Sequence, residues 1–243
     1  GTPLFLTLAA DARICTPDYV TDHIWELEFG TGEPASLSLH TTYGLRARSM
    51  RIFFRFTEAG SVVTNPNTFV KAPRLRRFYP NFLWFEFAPF ENLEVSAEYW
   101  IPQSNAAAGR LTIANRTSAN RRVRLEVCAL LAHLDGQPMM ATQMQLVNVL
   151  AGQTGGLFPV IFLTGGPAHG SGPHPSLFLD LELGPGATRQ LTWTEAARDT
   201  LQASFDLARQ TAARPWEAER ARIEMINTAQ TIEIHTGDKD WDA

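Results

Sequence analysis

Three carboxylate pairs are the first places to look for chemistry, because acid–base cleavage of a glycosidic bond needs two carboxyl groups roughly 5–10 Å apart. Glu26 and Glu28 lie two residues apart, as do Asp180 and Glu182, while Glu94 and Glu98 lie four apart. Each pair falls on an alternating strand pattern, where the polar positions form a solvent face. Nothing in the spacing desolvates a carboxyl group or sets it against a partner charge, the usual means of tuning a catalytic acid. The pairs read as surface. His169 and His174 flank Gly170-Ser171-Gly172-Pro173 without the further ligands that a zinc site takes at tight spacing. A surface loop is the better reading there, and His23, His40 and His133 stand alone. The chain holds no Gly-x-Ser-x-Gly elbow and no phosphate-cradling glycine loop. No catalytic residue, cofactor or metal ligand is assigned on these grounds.

One stretch has an unusual charge. Between Tyr43 and Pro80 lie Arg46, Arg48, Arg51, Arg55, Lys71, Arg74, Arg76 and Arg77 against a single acid, Glu58. Arginine interleaved with Tyr43, Phe53, Phe78 and Tyr79 could hold single-stranded nucleic acid by stacking and phosphate contacts. It could equally form an electrostatic dock for an acidic partner domain. The net charge of −4 gives no general pull toward phosphate, and no nucleic-acid module is recognisable, so docking is favoured. Tyr43, Arg46, Arg48, Arg51 and Arg74 are the candidate docking residues, and no nucleic-acid partner is expected.

These residues need elements to position them. At 243 residues, with 44% hydrophobic and 19% charged residues, the chain has the composition of a globular protein with a sizeable core. Its longest apolar run, Leu157 to Leu163, is far short of the ~20 residues of a membrane-spanning helix. Two cysteines, Cys15 and Cys128, make no disulfide framework, so a reducing cytoplasm is the expectation. Only Lys71 and Lys239 among the 21 basic residues are lysine, a usage typical of GC-rich bacterial genomes.

Period-2 alternation is clear in Leu93, Val95, Ala97 and Tyr99, and again in Val123, Leu125, Val127, Ala129 and Leu131. A third run is Leu177, Leu179, Leu181 and Leu183. Turn residues separate these runs at Gly30-Thr31-Gly32, Asn115 to Asn120, Gly165-Gly166-Pro167 and Gly184-Pro185-Gly186. Strands at this spacing with no helix between them predict a mainly β fold, a large antiparallel β-sandwich over residues 1–197. Phe53-Phe54-Arg55-Phe56 and Phe82 to Phe87 carry aromatics on both faces and read as strands covered on both sides. Residues 137–158 read as loop plus a strand.

After Trp193 the period changes to 3.6. Asp199 to Gln202 has the spacing of a capping box, and Leu201, Phe205, Ala208 and Ala212 mark a helical stripe. Pro215 suits the first position of a second helix, whose buried face would be Trp216, Ile223, Ile226 and Gln230. Residues 198–243 thus form a helical linker, ending in the strand Thr231 to Ile234 and the polar turn HTGDKDWDA. That ending reads as the cap of a helix still to come. With Gly1 rather than Met in front, it suggests a piece of a longer protein.

This order of parts resembles the N-terminal β-sandwich domain of bacterial (α/α)6-barrel glycoside hydrolases, the relatives of glycogen debranching enzyme, processing α-glucosidase and the disaccharide phosphorylases. The likeness is carried by Leu177 to Trp193 with its Gly184-Pro185-Gly186 hairpin and by the linker helices. Ile232 to Asp238 followed by Trp241-Asp242 carry it further, as do Asp22 to Leu27 with Thr41-Thr42-Tyr43-Gly44-Leu45. It implies a supersandwich-like domain that packs on a catalytic barrel beyond Ala243, with the catalytic acid and base in that barrel and no cofactor. A sugar contact is then the second candidate role, with Trp84 and Trp100 as exposed platforms. Two alternatives stay open: a stand-alone carbohydrate-binding module, and a sugar mutarotase, which uses a similar sandwich with a His and a Glu in its groove.

Overall fold

The computed structural model describes residues 6–18 and 23–229. In chain order the strands are β1 (Leu6–Leu8), β2 (Trp25–Thr31), β3 (Ser36–Thr41), β4 (Ala47–Glu58), β5 (Ser61–Val63), β6 (Lys71–Tyr79), β7 (Phe82–Phe90) and β8 (Leu93–Gln103). They continue with β9 (Ala106–Asn115), β10 (Arg121–His133), β11 (Gly136–Met144), β12 (Val147–Thr154), β13 (Phe158–Leu163), β14 (Ala168–His169), β15 (Ser176–Leu183) and β16 (Thr188–Arg198). Two helices follow, α1 (Leu201–Ala212) and α2 (Trp216–Thr228). Sheet I runs β1-β2-β3-β4-β10-β15-β14, with β5 also paired to β4, and sheet II runs β11-β12-β13-β16-β9-β8-β7-β6. The named strand pairs are antiparallel throughout, as the one-sided alternation requires. The molecule is the expected sandwich.

The core lies between the sheets. Val123, Leu125, Val127, Ala129 and Leu131 of β10 all point into it, opposite Leu83, Phe85 and Phe87 of β7 and Leu93, Val95 and Tyr99 of β8. The alternate residues face outward, yet several of these are buried too. Phe53 on the outer side of β4 is fully buried and meets His174 edge-on at 5.8 Å. Glu126 and Cys128 of β10 are buried on the same side. Sheet I is therefore covered on its outer side around Phe53 as well as inside, which explains the two-faced pattern of β4, whereas β7 lies in sheet II with Trp84 and Glu86 only half-buried on its outer side.

Four expectations need correction. Residues 137–158 form the hairpin β11–β12 and lead into β13, so this weakly patterned stretch is an edge of sheet II. Its polar positions are exposed because an edge strand meets solvent along one side. Gly184-Pro185-Gly186 closes no hairpin, for it joins β15 in sheet I to β16 in sheet II. Buried Asn115 pins that crossover, its side-chain amide donating to the carbonyls of Leu183 and Gly184 at 3.0 and 2.9 Å. The cap of α1 is Thr200, not Asp199: its hydroxyl accepts from the Ala203 amide at 3.2 Å, while Gln202 turns to Asp206. Finally, α1 is no free connector. Phe205 packs with Val149 and Val160, Ala208 packs with Ala106 and Ala196, and Leu201 of the expected stripe is exposed.

The chain divides into two compact units between Ala213 and Arg214. The first therefore includes α1, beyond the expected boundary at residue 197. In the second, α2 begins after Pro215, carries an Arg220–Glu224 pair one turn apart and buries Ile223. The expected strand at Thr231, the closing turn, Gln230 and the motif from Ile232 to Asp242 lie outside the described residues, as does Asp22. Among the described residues no helix is long and apolar enough to cross a membrane.

One polar cluster interrupts the core. Tyr43 sits in the β3–β4 turn at φ 52° and is buried, with His23 edge-on at 4.8 Å and Trp25 at 6.1 Å. Its hydroxyl donates to Glu195 Oε1 at 2.7 Å, and Glu195 on β16 lies wholly inside the core. Burial drives the Glu195 carboxyl up to about 8 against a smaller opposing effect of the Tyr43 hydrogen bond. Burial also pulls His23 down to about 4, helped by the Arg46 charge.

Two predictions follow from this core. Leu125→Asp places a charge between the sheets at a cost of several kcal/mol, comparable with the ~5–15 kcal/mol of total stability, and should abolish cooperative unfolding by urea. The second concerns pH. An unfolded glutamate ionises near 4.5 while folded Glu195 keeps its proton to about 8, so its contribution is complete below 4.5 and is lost as pH rises to 8. His23 acts oppositely, its contribution being present above 6.5 and lost as pH falls toward 4. Between pH 6.5 and 8 only the Glu195 arm is active. The melting temperature should fall there in the parent chain and stay level in Glu195→Gln; parallel falls in both would show that Glu195 is not the group responsible.

Candidate functional site

The outer face of sheet II is covered on one side only. Helix α1 lies over its β13 and β16 side, tied down by Thr194 donating to the Ala208 carbonyl at 2.9 Å. Beyond it, strands β9 to β6 carry an open groove of about 530 Å³, within the ~300–1,000 Å³ range of ligand sites.

Register assembles a polar row from residues far apart in sequence, and all but its last member, Gln190, line the groove. Arg74 of β6 pairs with Glu86 of β7, Glu86 with Ser96 of β8, Ser96 with Thr112 of β9, and Thr112 with Gln190 of β16. Partners in an antiparallel ladder share a face, so these five form one polar row. Strands lie ~4.8 Å apart, which makes the row about 19 Å long. On the inner strands the row is the outward set of an alternating pattern, with Val95 and Ala97 beside Ser96 filling the core. A second row runs Arg77, Trp84, Glu98, Arg110 and Thr192. In it Glu98 and Arg110 form a buried ion pair at 2.9 Å. Thus Glu98 is no solvent-face carboxylate.

The groove's carboxylates are engaged by cations. Glu86 is held by Arg76 at 2.6 Å. Glu94 is shared by Arg116 at 2.8 Å and Lys71 at 3.1 Å, and these hydrogen bonds, Arg116 first, lower its proton affinity below the ordinary carboxylate range. A general acid must hold its proton near working pH, and Glu94 is tuned the other way. The carboxyl that does hold a proton, Glu195, is sealed between the sheets.

The expected contact residues disperse. Trp100 is 1% exposed and cannot be a sugar platform. It sits on the outer side of β8, and that side is covered at this position. Trp84 is half-buried, with its indole N–H donating to Ser96 Oγ of the groove lining at 2.8 Å. Tyr43 is spent on Glu195 inside the core and presents no surface.

Arg51 is also buried, on the outer face of sheet I. Its guanidinium donates to the Thr31 carbonyl and the Ser36 hydroxyl, at 2.9 and 3.0 Å, beneath the β2–β3 loop. A Cβ at Gly32 would lie 2.3 Å from that guanidinium, so only glycine allows the loop to close. Arg46 is half-buried, Arg48 is exposed, and Arg74 lies in the groove on the other sheet. The basic stretch is therefore split between sheets and makes no single face.

Of the other early candidates, Glu28 lies 3.7 Å from Arg51, Glu26 lies 3.9 Å from His40, and Asp180 and Glu182 pair on the surface with Arg124 and Arg122. His169 bonds the Thr142 carbonyl at 2.9 Å. Sequence reading missed the row itself. Ser96 and Thr112 are ordinary polar positions until cross-strand register aligns them with Arg74 and Glu86.

No protein-family model matches the chain, and no curated protein matches its sequence. Solved structures do show likeness. A protein described as a kojibiose phosphorylase from the human microbiome aligns over 86% of this chain and 28% of its own length, at 10% identity and a TM-score of 0.43. A protein described as an aldose 1-epimerase from Escherichia coli K12 aligns over 80% of this chain and 99% of its own, at 8% identity and a TM-score of 0.49. A galactose mutarotase-related enzyme from Lactobacillus acidophilus aligns over 80% and 97%, at 7% identity and a TM-score of 0.45. The chain thus spans little more than a quarter of the phosphorylase and nearly all of the other two, and likeness at this level assigns neither family nor activity.

Proposed function

We propose that this chain is a non-catalytic, carbohydrate-associated β-sandwich domain whose saccharide contact is the outer groove of sheet II. The observation that carries the reading is the row Arg74–Glu86–Ser96–Thr112–Gln190. It offers donors and acceptors along one line, which a chain of sugar hydroxyls, each both donor and acceptor, can satisfy. The engaged carboxylates Glu86 and Glu94 support binding over bond cleavage.

In keeping with the sequence resemblance, the reading extends to a parent cytoplasmic glycoside hydrolase acting on α-glucosidic carbohydrate, in which this domain packs against a C-terminal (α/α)6 barrel. Within that proposal Arg46 and Arg48 are the docking candidates that keep accessible surface outside the groove.

The test uses the 243-residue chain. Incubated with maltose or a nitrophenyl α-glucoside it should release no glucose, yet an oligosaccharide-containing gel should retard its migration. Glucose release that disappears in Glu86→Gln or Glu94→Gln would contradict the reading, as would migration indifferent to every oligosaccharide tried.

A further inference from the structure

The groove carries more positive charge than its own carboxylates neutralise. Lys71, Arg74, Arg76 and Arg116 line it against Glu86 and Glu94. Lys71 and Arg116 share Glu94, and Arg76 reaches Glu86 through both Nε and Nη2. Arg74 is the surplus. Its Cα lies opposite that of Glu86, the natural cross-strand partner. However, β6 is irregular between Lys71 and Arg74 and again between Leu75 and Arg77, and such bulges re-aim side chains. The result sets two arginines against one carboxylate, and Arg76 holds it. Among the described residues Arg74 has no ion-pair partner, and its side chain is exposed at the end of the polar row.

Neutral donors continue from that cation. Ser96 accepts from the Trp84 indole, which leaves its own hydroxyl hydrogen to donate into the groove. Thr112 and Thr188 add two more hydroxyls along the lining. Resting on the saccharide reading above, we propose that the groove selects an anionic saccharide, with a carboxylate or sulfate of the sugar held by Arg74 and neighbouring ring hydroxyls met by Ser96, Thr112 and Thr188. The planar guanidinium fork fits either oxyanion through two parallel N–H donors, and its weak hydration lowers the cost of docking. A concave site with excess positive charge also concentrates anions before contact.

The experiment is calorimetric titration of the 243-residue chain and of Arg74→Gln with three probes: a galacturonate hexasaccharide, maltohexaose and inorganic sulfate. Urea midpoints of the two proteins serve as the folding control, and the surface position of Arg74 leaves them equal. The hexagalacturonate should bind about tenfold more tightly than maltohexaose, the size of one charge-assisted hydrogen bond pair. That advantage should shrink as salt rises and vanish in Arg74→Gln, which lowers hexagalacturonate affinity by more than it lowers maltohexaose affinity. Equal affinity for the two hexasaccharides, or an Arg74→Gln variant that binds hexagalacturonate as before, overturns the anionic class and leaves the saccharide reading intact. Sulfate binding as tight as hexagalacturonate reduces the site to an inorganic-anion site and also overturns it. Failure of both hexasaccharides to bind removes the saccharide reading together with the proposal.

Discussion

Every strand here has two faces, and only one of them can meet the opposing sheet. That constraint organises the molecule. Alternation sends Val123, Leu125, Val127 and their counterparts on β7 and β8 into a common core. The outer residues of two eight-stranded sheets must then be covered or made polar. Part of sheet I is covered by its own loops, and the cover is polar: Arg51 holds the β2–β3 loop by its carbonyls, and Arg55 pairs with buried Glu126 at 2.6 Å beneath the loop that carries Gly172. Sheet II is closed on one side by α1 and left open on the other. The groove is what remains when covering runs out, and its charged walls are what keep an uncovered sheet face soluble.

Glu195 and Glu94 show how environment separates two carboxyl groups on one sheet. Glu195 occupies an inward position and loses its water, so the neutral acid is favoured and the Tyr43 hydroxyl serves one of its oxygens. Glu94 occupies an outward position between two cations, so the carboxylate is favoured. An acid poised for catalysis would need the reach of the second and the proton of the first. The fold keeps those properties apart, and this separation supports the recognition role proposed above.

Much of the sandwich was legible because period 2 is a local property. The β10 pattern from Val123 to Leu131 needed only its own residues to reveal which side is inward. Sheet membership is not local, and so the Gly184-Pro185-Gly186 turn was read as a hairpin although β15 and β16 belong to different sheets. Nor does alternation tell whether an outward face is covered. Trp100 and Trp84 both lie on outward positions, yet one is buried and the other half-buried. The polar row was hidden for the same reason, since Arg74, Glu86, Ser96, Thr112 and Gln190 meet only through four successive strand registers. Arg74 was found early by its charge, but the neighbours that give that charge meaning were not.

The central claim is that the open face of sheet II recognises saccharide. The most direct measurement is an amide-resolved NMR titration of the chain with oligosaccharide. The account predicts shifts confined to the neighbourhood of Arg74, Glu86, Ser96, Thr112 and Gln190, with the Leu125 and Val127 amides of sheet I unmoved. Shifts centred on the outer face of sheet I, around Arg51 and His174, with a silent polar row, would contradict it.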